Sequence, residues 1–280
     1  MLKKKINLYV RKLASIIGIH LVKSRYSRWQ SELYPSASEG SKNLYVNLGA
    51  GDFFHPMWIN VDMPNDFYSY QQSSAYVNYN FMSCEKLPFE SSSISVFYCS
   101  HVIEHLPDNI IEFLLKEIFR CLKPGGLVRF TCPDISLIYQ AFKDKDERFW
   151  FGLDPWRLRN KELARKFVEH FATGVCNKNK FPELFISVKE IEQLFDLNPR
   201  DKFFDLIIAK LPKDINSDYP EGHINWFTVD KLIRMMRQSG LLSAVESRYL
   251  QSSNPVLQDP RFFDSTSPEL SLYVEAKKPY

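Results

Sequence analysis

Residues 45–62 read YVNLGAGDFFHPMWINVD. A short apolar run enters the turn Gly49-Ala50-Gly51, and a second short run over 58–61 ends on Asp62. Glycine reaches backbone angles closed to other residues and lets a ligand approach the main chain, so Gly49 and Gly51 mark a turn suited to close contact. A carboxylate ending the next strand is placed to accept hydrogen bonds from the paired hydroxyls of a ribose. Glycine alone would signal only a turn; strand, turn, strand and acid in that order point to a nucleoside site on an α/β sheet.

Further strands are expected near 75–81 and over 94–99. From 105 to 122 the apolar residues Ile111, Leu114, Leu115, Ile118 and Leu122 follow helical spacing, and Lys123-Pro124-Gly125-Gly126 ends that run. A fifth strand follows at 127–131. Strands alternating with crossovers predict an α/β fold: a Rossmann-like, mostly parallel sheet flanked by helices. The cofactor-binding core spans 31–138, opening on a polar linker. Over 139–222 the pattern breaks into aromatic and charged residues, with helices expected over 161–171 and 188–195. That length exceeds what a connection needs and reads as an inserted helical cap on the substrate side. The framework returns over 223–280, with a helix at 228–240 and closing strands at 242–250 and 270–276.

A chain of 280 residues, 45% hydrophobic and 25% charged, is long enough to bury a core without disulfides or metal. Cys84, Cys99, Cys121, Cys132 and Cys176 are odd in number and lack ligand spacing, so buried free thiols in a cytoplasmic protein are expected, with no metal site. A net charge of +3 and the lack of a recognition motif argue against nucleic acid. The basic residues gather in 1–30, where Lys3, Lys4, Lys5, Arg11, Lys12, Lys23, Arg25 and Arg28 precede the first acid, Glu32. Ile6, Val10, Leu13, Ile17 and Leu21 share one helical face there. This segment reads as a basic amphipathic helix, lying peripherally on an anionic membrane or packed against the protein or a partner.

A second block, KLPFESSSISVFYCSHVIEHLPDNIIEFLLKEIFRCLKPGGLVRFTCPD, occupies 86–134. Its Leu87-Pro88-Phe89, Ser100-His101, Glu104-His105 and Leu122-to-Gly126 elements resemble, in order and spacing, the type 11 branch of the class I S-adenosylmethionine-dependent methyltransferases. The glycine turn resembles that class's first motif, with two departures: Asn47 stands at its acidic position and Phe53 at its third glycine. The GHINWFT stretch at 222–228 also looks like the stretch before the family's last framework helix.

The resemblance implies S-adenosyl-L-methionine as cofactor and methyl transfer as the reaction. By position, Asn47, Gly49 and Gly51 should lie at the methionine portion, Asp62 at the ribose, Asn80 or Ser83 near the adenine, and Ser100 or His101 near the amino group or sulfonium. His223 is the preferred base for an acceptor hydroxyl, with His101 its competitor. The expected acceptor is a glycan, glycolipid or other small molecule methylated on oxygen. Two rivals stand beside this reading. A catalytically silent cofactor-binding or scaffold protein would explain Asn47 and the lack of an adenine acid. An NAD(P)-dependent oxidoreductase needs a helix N-terminus for the pyrophosphate, and the short stretch between Gly51 and Trp58 leaves little room for one.

Overall fold

The computed structural model describes Tyr34 and residues 43–51, 53, 55, 57–63, 75–153, 163–215 and 219–280. Apart from Tyr34, these fall in one compact unit, Ala37–Tyr280. The helix expected over 1–30 lies outside the described residues.

Seven strands form one sheet: β1 (Leu44–Leu48), β2 (Ile59–Asp62), β3 (Tyr76–Asn78), β4 (Ile94–Ser100), β5 (Leu122–Pro133), β6 (Val245–Glu246) and β7 (Ser271–Lys277). Their order is β3-β2-β1-β4-β5-β7-β6. The first five run parallel, and β7 pairs antiparallel with both β5 and β6. The mostly parallel α/β sheet with flanking helices is therefore as expected.

Strand alternation divides the sheet into two unlike faces. Val46, Leu48, Val61, Phe97, Cys99, Val128, Phe130 and Val274 make one face, buried under α1 (Asp108–Cys121) and α7 (Val229–Gln238). Ile111, Leu114, Leu115 and Ile118 form the apolar stripe that α1 lays on it. On the other face a single row crosses the strands in register: Asn60, Asn47, Tyr98, Arg129 and Glu275. Among the described residues this row is covered by the segment after β6 rather than by a helix. Phe263 packs 5.1 Å from Tyr98, and Asp264 pairs with Arg129 at 2.6 Å.

Helices α2 (Ile135–Lys143), α3 (Glu147–Leu153), α4 (Leu163–Glu169), α5 (Val188–Leu197) and α6 (Arg200–Ile208) lie between β5 and α7. They gather a second apolar cluster of their own, including Ile138, Trp150, Phe167, Phe171, Phe203 and Phe204. Phe167 stacks on Phe142 at 4.7 Å and on Phe203 at 5.6 Å. The helices expected over 161–171 and 188–195 correspond to α4 and α5. Those at α2, α3 and α6 were hidden by short lengths and mixed aromatic composition.

Two expected boundaries differ. The turn expected at 123–126 belongs to β5, because Gly125 donates to the Lys278 carbonyl and Lys278 to that of Gly126, both at 2.9 Å. Those residues form a bulge where the register with β4 shifts between Ile94 and Val96. The strand expected over 242–250 shrinks to Val245–Glu246. Past Ser247 the chain leaves the edge, with Leu250 at φ 53° and the Arg248 carbonyl turned to Arg129. The cysteines differ at one position: four are buried and Cys84 is exposed.

Candidate active site

In an open parallel sheet, ligands bind beyond the carboxyl ends of the strands, where the strand order reverses. Here that point lies between β1 and β4, and the chain leaves both strands there in left-handed turns. Gly49 and Gly51 follow β1 at φ 71° and 47°, and His101 follows β4 at φ 54°. A Cβ on Gly49 would stand 2.0 Å from Val102 Cγ2, so only glycine lets the two turns close together.

Asp62, ending β2, reaches back to this turn. Its Oδ2 accepts from the Gly51 amide at 3.0 Å and its Oδ1 from the Met63 amide at 2.7 Å. Burial pushes its carboxyl above the usual range, opposed by the amides of Gly51, Met63 and Ala50. Beyond these amides the carboxylate retains accepting capacity for a ligand hydroxyl. Asn47 lies in the buried row, its Nδ2 donating to Asn60 Oδ1 at 3.4 Å, while Asn60 Nδ2 donates to the Phe53 carbonyl at 2.7 Å. Phe53, at the third glycine position, packs on Phe263 and Trp58. The departures from the glycine motif thus tie its loop to the aromatic face of the sheet. The described residues between β1 and β2 form turns and no helix.

The expected adenine contacts, Asn80 and Ser83, sit on an exposed turn after β3. Asn80 Oδ1 accepts from the Met82 amide at 2.9 Å, and Ser83 Oγ donates to the Asn80 carbonyl at 2.8 Å. Ser100 is half-buried as the last residue of β4, opposite Thr131. His101 has both ring nitrogens engaged, Nδ1 3.1 Å from Glu104 Oε1 and Nε2 2.8 Å from Ser271 Oγ.

Behind His101 the structure gathers groups that lie far apart in sequence. Glu104 is 1% exposed, and its carbonyl accepts the amides of Ile224 and Asn225 at 2.9 and 3.1 Å. These bonds bring the 222–228 stretch against the end of β4. Asn225 holds it there, donating to the Leu106 carbonyl and to Asp108 Oδ1, while its own Oδ1 accepts from the buried Lys231 ammonium. His223 then lies beside His105, with ring centroids 4.8 Å apart. His105 Nδ1 is 3.1 Å from the Gly222 carbonyl, and His223 Nδ1 is 2.9 Å from that of His170. Ligand atoms of Glu104, His105 and His223 all come within 4.8 Å of one another.

The electrostatics of this cluster follow from its burial. Desolvation alone would raise the Glu104 carboxyl, but the His101 contact and the nearby His105 and His223 outweigh it, holding it near 2. Desolvation lowers His223 to about 4, against the pull of Glu104. The ordinary state near neutral pH is therefore a carboxylate beside a neutral imidazole. Reading the sequence brought His223 and His101 forward and named Glu104 and His105 only within the family resemblance. Their pairing with His223 has no signal in spacing, since it is made across the fold.

The mostly parallel sheet, the glycine turn and the acid ending β2 agree with what the resemblance read from the sequence leads one to expect. Residues 58–130 match the family model described as a methyltransferase domain, of the type 11 branch. The chain is similar to the sterol 4-C-methyltransferase strm-1 of Caenorhabditis elegans, 35% identical over 66 residues that cover 24% of this chain and 19% of that protein. It is also similar to the ubiquinone/menaquinone biosynthesis C-methyltransferase UbiE of Bartonella tribocorum, 37% identical over 68 residues, 24% of this chain and 25% of that one. The matches thus span about a quarter or less of these curated relatives. An S-adenosylmethionine-dependent methyltransferase from Mesorhizobium loti superposes with a TM-score of 0.42 at 12% identity, covering 89% of this chain and 96% of that one.

Proposed function

We propose that the protein transfers a methyl group from S-adenosylmethionine to an oxygen of a small-molecule or glycan acceptor. The observation that carries this reading is the junction of Asp62 with the Gly51 amide at the strand-order reversal, a ribose acceptor joined to a turn that a ligand can approach closely. The sulfonium is already electrophilic, so the protein's main contribution is alignment, which supplies about 7–11 kcal/mol in favourable cases. A neutral acceptor hydroxyl must also lose its proton, and we assign that task to the cluster of His223 with Glu104 and His105. His101 ranks behind it because both of its ring nitrogens are engaged. The named relatives methylate carbon, but what they share with this chain is a stretch of 66–68 residues, so the acceptor atom rests on the cluster's chemistry.

Titration calorimetry with S-adenosylhomocysteine tests the reading. The wild-type chain should bind it and not NADH. Asp62→Asn keeps the shape but weakens hydrogen bonds to two ribose hydroxyls, charge-assisted bonds worth about 1.5–3 kcal/mol each, so a loss of roughly 100-fold in affinity is expected. Equal affinity of Asp62→Asn and wild type would remove Asp62 from the site. Cofactor binding without turnover on any hydroxylated acceptor would favour a silent binding protein.

A further inference from the structure

We infer that Glu104, His105 and His223 form a binding site for a divalent transition-metal ion with a preference for mixed nitrogen and oxygen donors, such as zinc. Three donor atoms from these side chains already lie within 4.8 Å of one another. Around a tetrahedral ion with ligand bonds of about 2.0–2.2 Å, donors lie roughly 3.3–3.6 Å apart, so modest side-chain rotation closes the site.

The Glu104 carboxylate carries the argument further. It is 1% exposed, and apart from the His101 Nδ1 contact of 3.1 Å at Oε1 its oxygens have no hydrogen-bond partner among the described residues. A buried carboxylate with unsatisfied lone pairs is costly unless a cation sits against it. The imidazoles are arranged to complement it. Each directs Nδ1 at a backbone carbonyl, His105 at Gly222 and His223 at His170. In a neutral ring that bond places the proton on Nδ1 and the lone pair on Nε2, the second-shell arrangement of metal-bound histidine. His101 is a positioning residue in this scheme, bridging Glu104 to Ser271 at the start of β7.

Two imidazoles and one carboxylate suit zinc or cobalt better than magnesium or calcium, which favour oxygen throughout. Three protein ligands leave a coordination position for an exogenous oxygen. Bound there, a cation would acidify an acceptor hydroxyl and take the place of a free imidazole base, the proton passing to solvent. That role rests on the methyl-transfer reading, whereas metal binding itself does not.

The test uses the full chain, stripped with a chelator and dialysed. It is titrated with zinc chloride in a calorimeter and with cobalt chloride in an absorption spectrometer. One equivalent should bind, with visible d–d bands of low-coordinate cobalt. Glu104→Gln, His105→Asn and His223→Gln should each weaken zinc by roughly 100-fold or more, since even second-shell changes cost about 10–100-fold. Cys84→Ser, which removes the exposed thiol, should bind as wild type does. Circular dichroism checks the fold of each variant, and if His223→Gln does not fold, the near-isosteric Glu104→Gln decides. Absent or substoichiometric binding overturns the site, as does binding retained in Glu104→Gln or lost in Cys84→Ser. S-adenosylhomocysteine is titrated into the same samples. Its binding without metal binding defeats the metal site alone, and metal binding without it defeats the cofactor reading alone.

Discussion

At Gly49 two constraints meet, a φ of 71° and a steric limit set by Val102. The left-handed conformation costs a side-chain-bearing residue about 1–2 kcal/mol, and forcing a methyl into packed surroundings adds about 1–3 kcal/mol. Gly49→Ala should therefore lower the unfolding free energy by roughly 2–5 kcal/mol, read from urea denaturation. Adding Val102→Ala removes the methyl that the new Cβ would strike at 2.0 Å and should recover the steric part only. Equal stability of Gly49→Ala and wild type would show that the two turns can separate without penalty. Asn47 makes the opposite point. Its place in the glycine motif suggested a ligand contact, and the side chain lies in a buried row bonded to Asn60.

Among the elements, β5 carries the most unusual burial. Arg129 and Asp264 are both 0% exposed, joined at 2.6 Å, and Arg129 also donates to Ser247 Oγ and the Arg248 carbonyl. These bonds fasten the segment after β6 over the face that Tyr98 and Asn47 share. Removing one partner of a buried pair leaves an uncompensated charge and typically costs about 3–5 kcal/mol, whereas replacing both with apolar groups is close to neutral. Arg129→Met should thus be strongly destabilised in urea, and Arg129→Met with Asp264→Leu should recover much of the loss. Glu275, the other carboxylate beside Arg129, keeps its bonds from Ser252 Oγ and the Ser253 amide in both variants. A double variant no more stable than the single one would mean that the pair's geometry, rather than its charge, holds the segment.

For the molecule as a whole, buried histidines set the response to acid. Desolvation holds His55 and His223 near 4, below the ordinary 6.5. As pH falls below 6.5 the unfolded chain takes up these protons first, so stability is lost between about 6.5 and 4 and the loss levels off below. Each histidine accounts for roughly 2–4 kcal/mol at most, since a tenfold difference in proton affinity between the folded and unfolded chain is worth about 1.4 kcal/mol. Glu104, held near 2, loses its contribution over a lower range, as pH falls from about 4.5 toward 2. Urea denaturation of chelator-treated protein from pH 4 to 7 should show this slope, and His223→Gln should reduce it by about half. A slope unchanged in that variant would place the titration elsewhere. At the same scale, the basic segment 1–30 is proposed to contact anionic membranes, each cation contributing about 1 kcal/mol. Deleting it should abolish co-sedimentation with phosphatidylserine vesicles at low salt; vesicles that never retain the intact chain would end that proposal.

Local chemistry was enough to read the sheet and the turn at its strand-order reversal. Apolar runs of strand length, the turn at Gly49 and Gly51, the acid at Asp62 and the stripe on α1 each depend on residues close together in the chain, and periodicity or turn geometry reports them directly. Thr228 shows the same at a helix start, where its Oγ1 accepts from the Lys231 amide at 3.1 Å as an N-cap. Tertiary structure alone decided the rest. The cluster of Glu104, His105 and His223 arises because the Glu104 carbonyl binds the amides of Ile224 and Asn225, a contact no spacing encodes. The cover of the second sheet face depends likewise on Arg129 meeting Asp264 across the fold. Interactions within a turn or helix leave a period in the sequence, whereas long-range hydrogen bonds and buried ion pairs are set by how the packed elements come together, and they leave none.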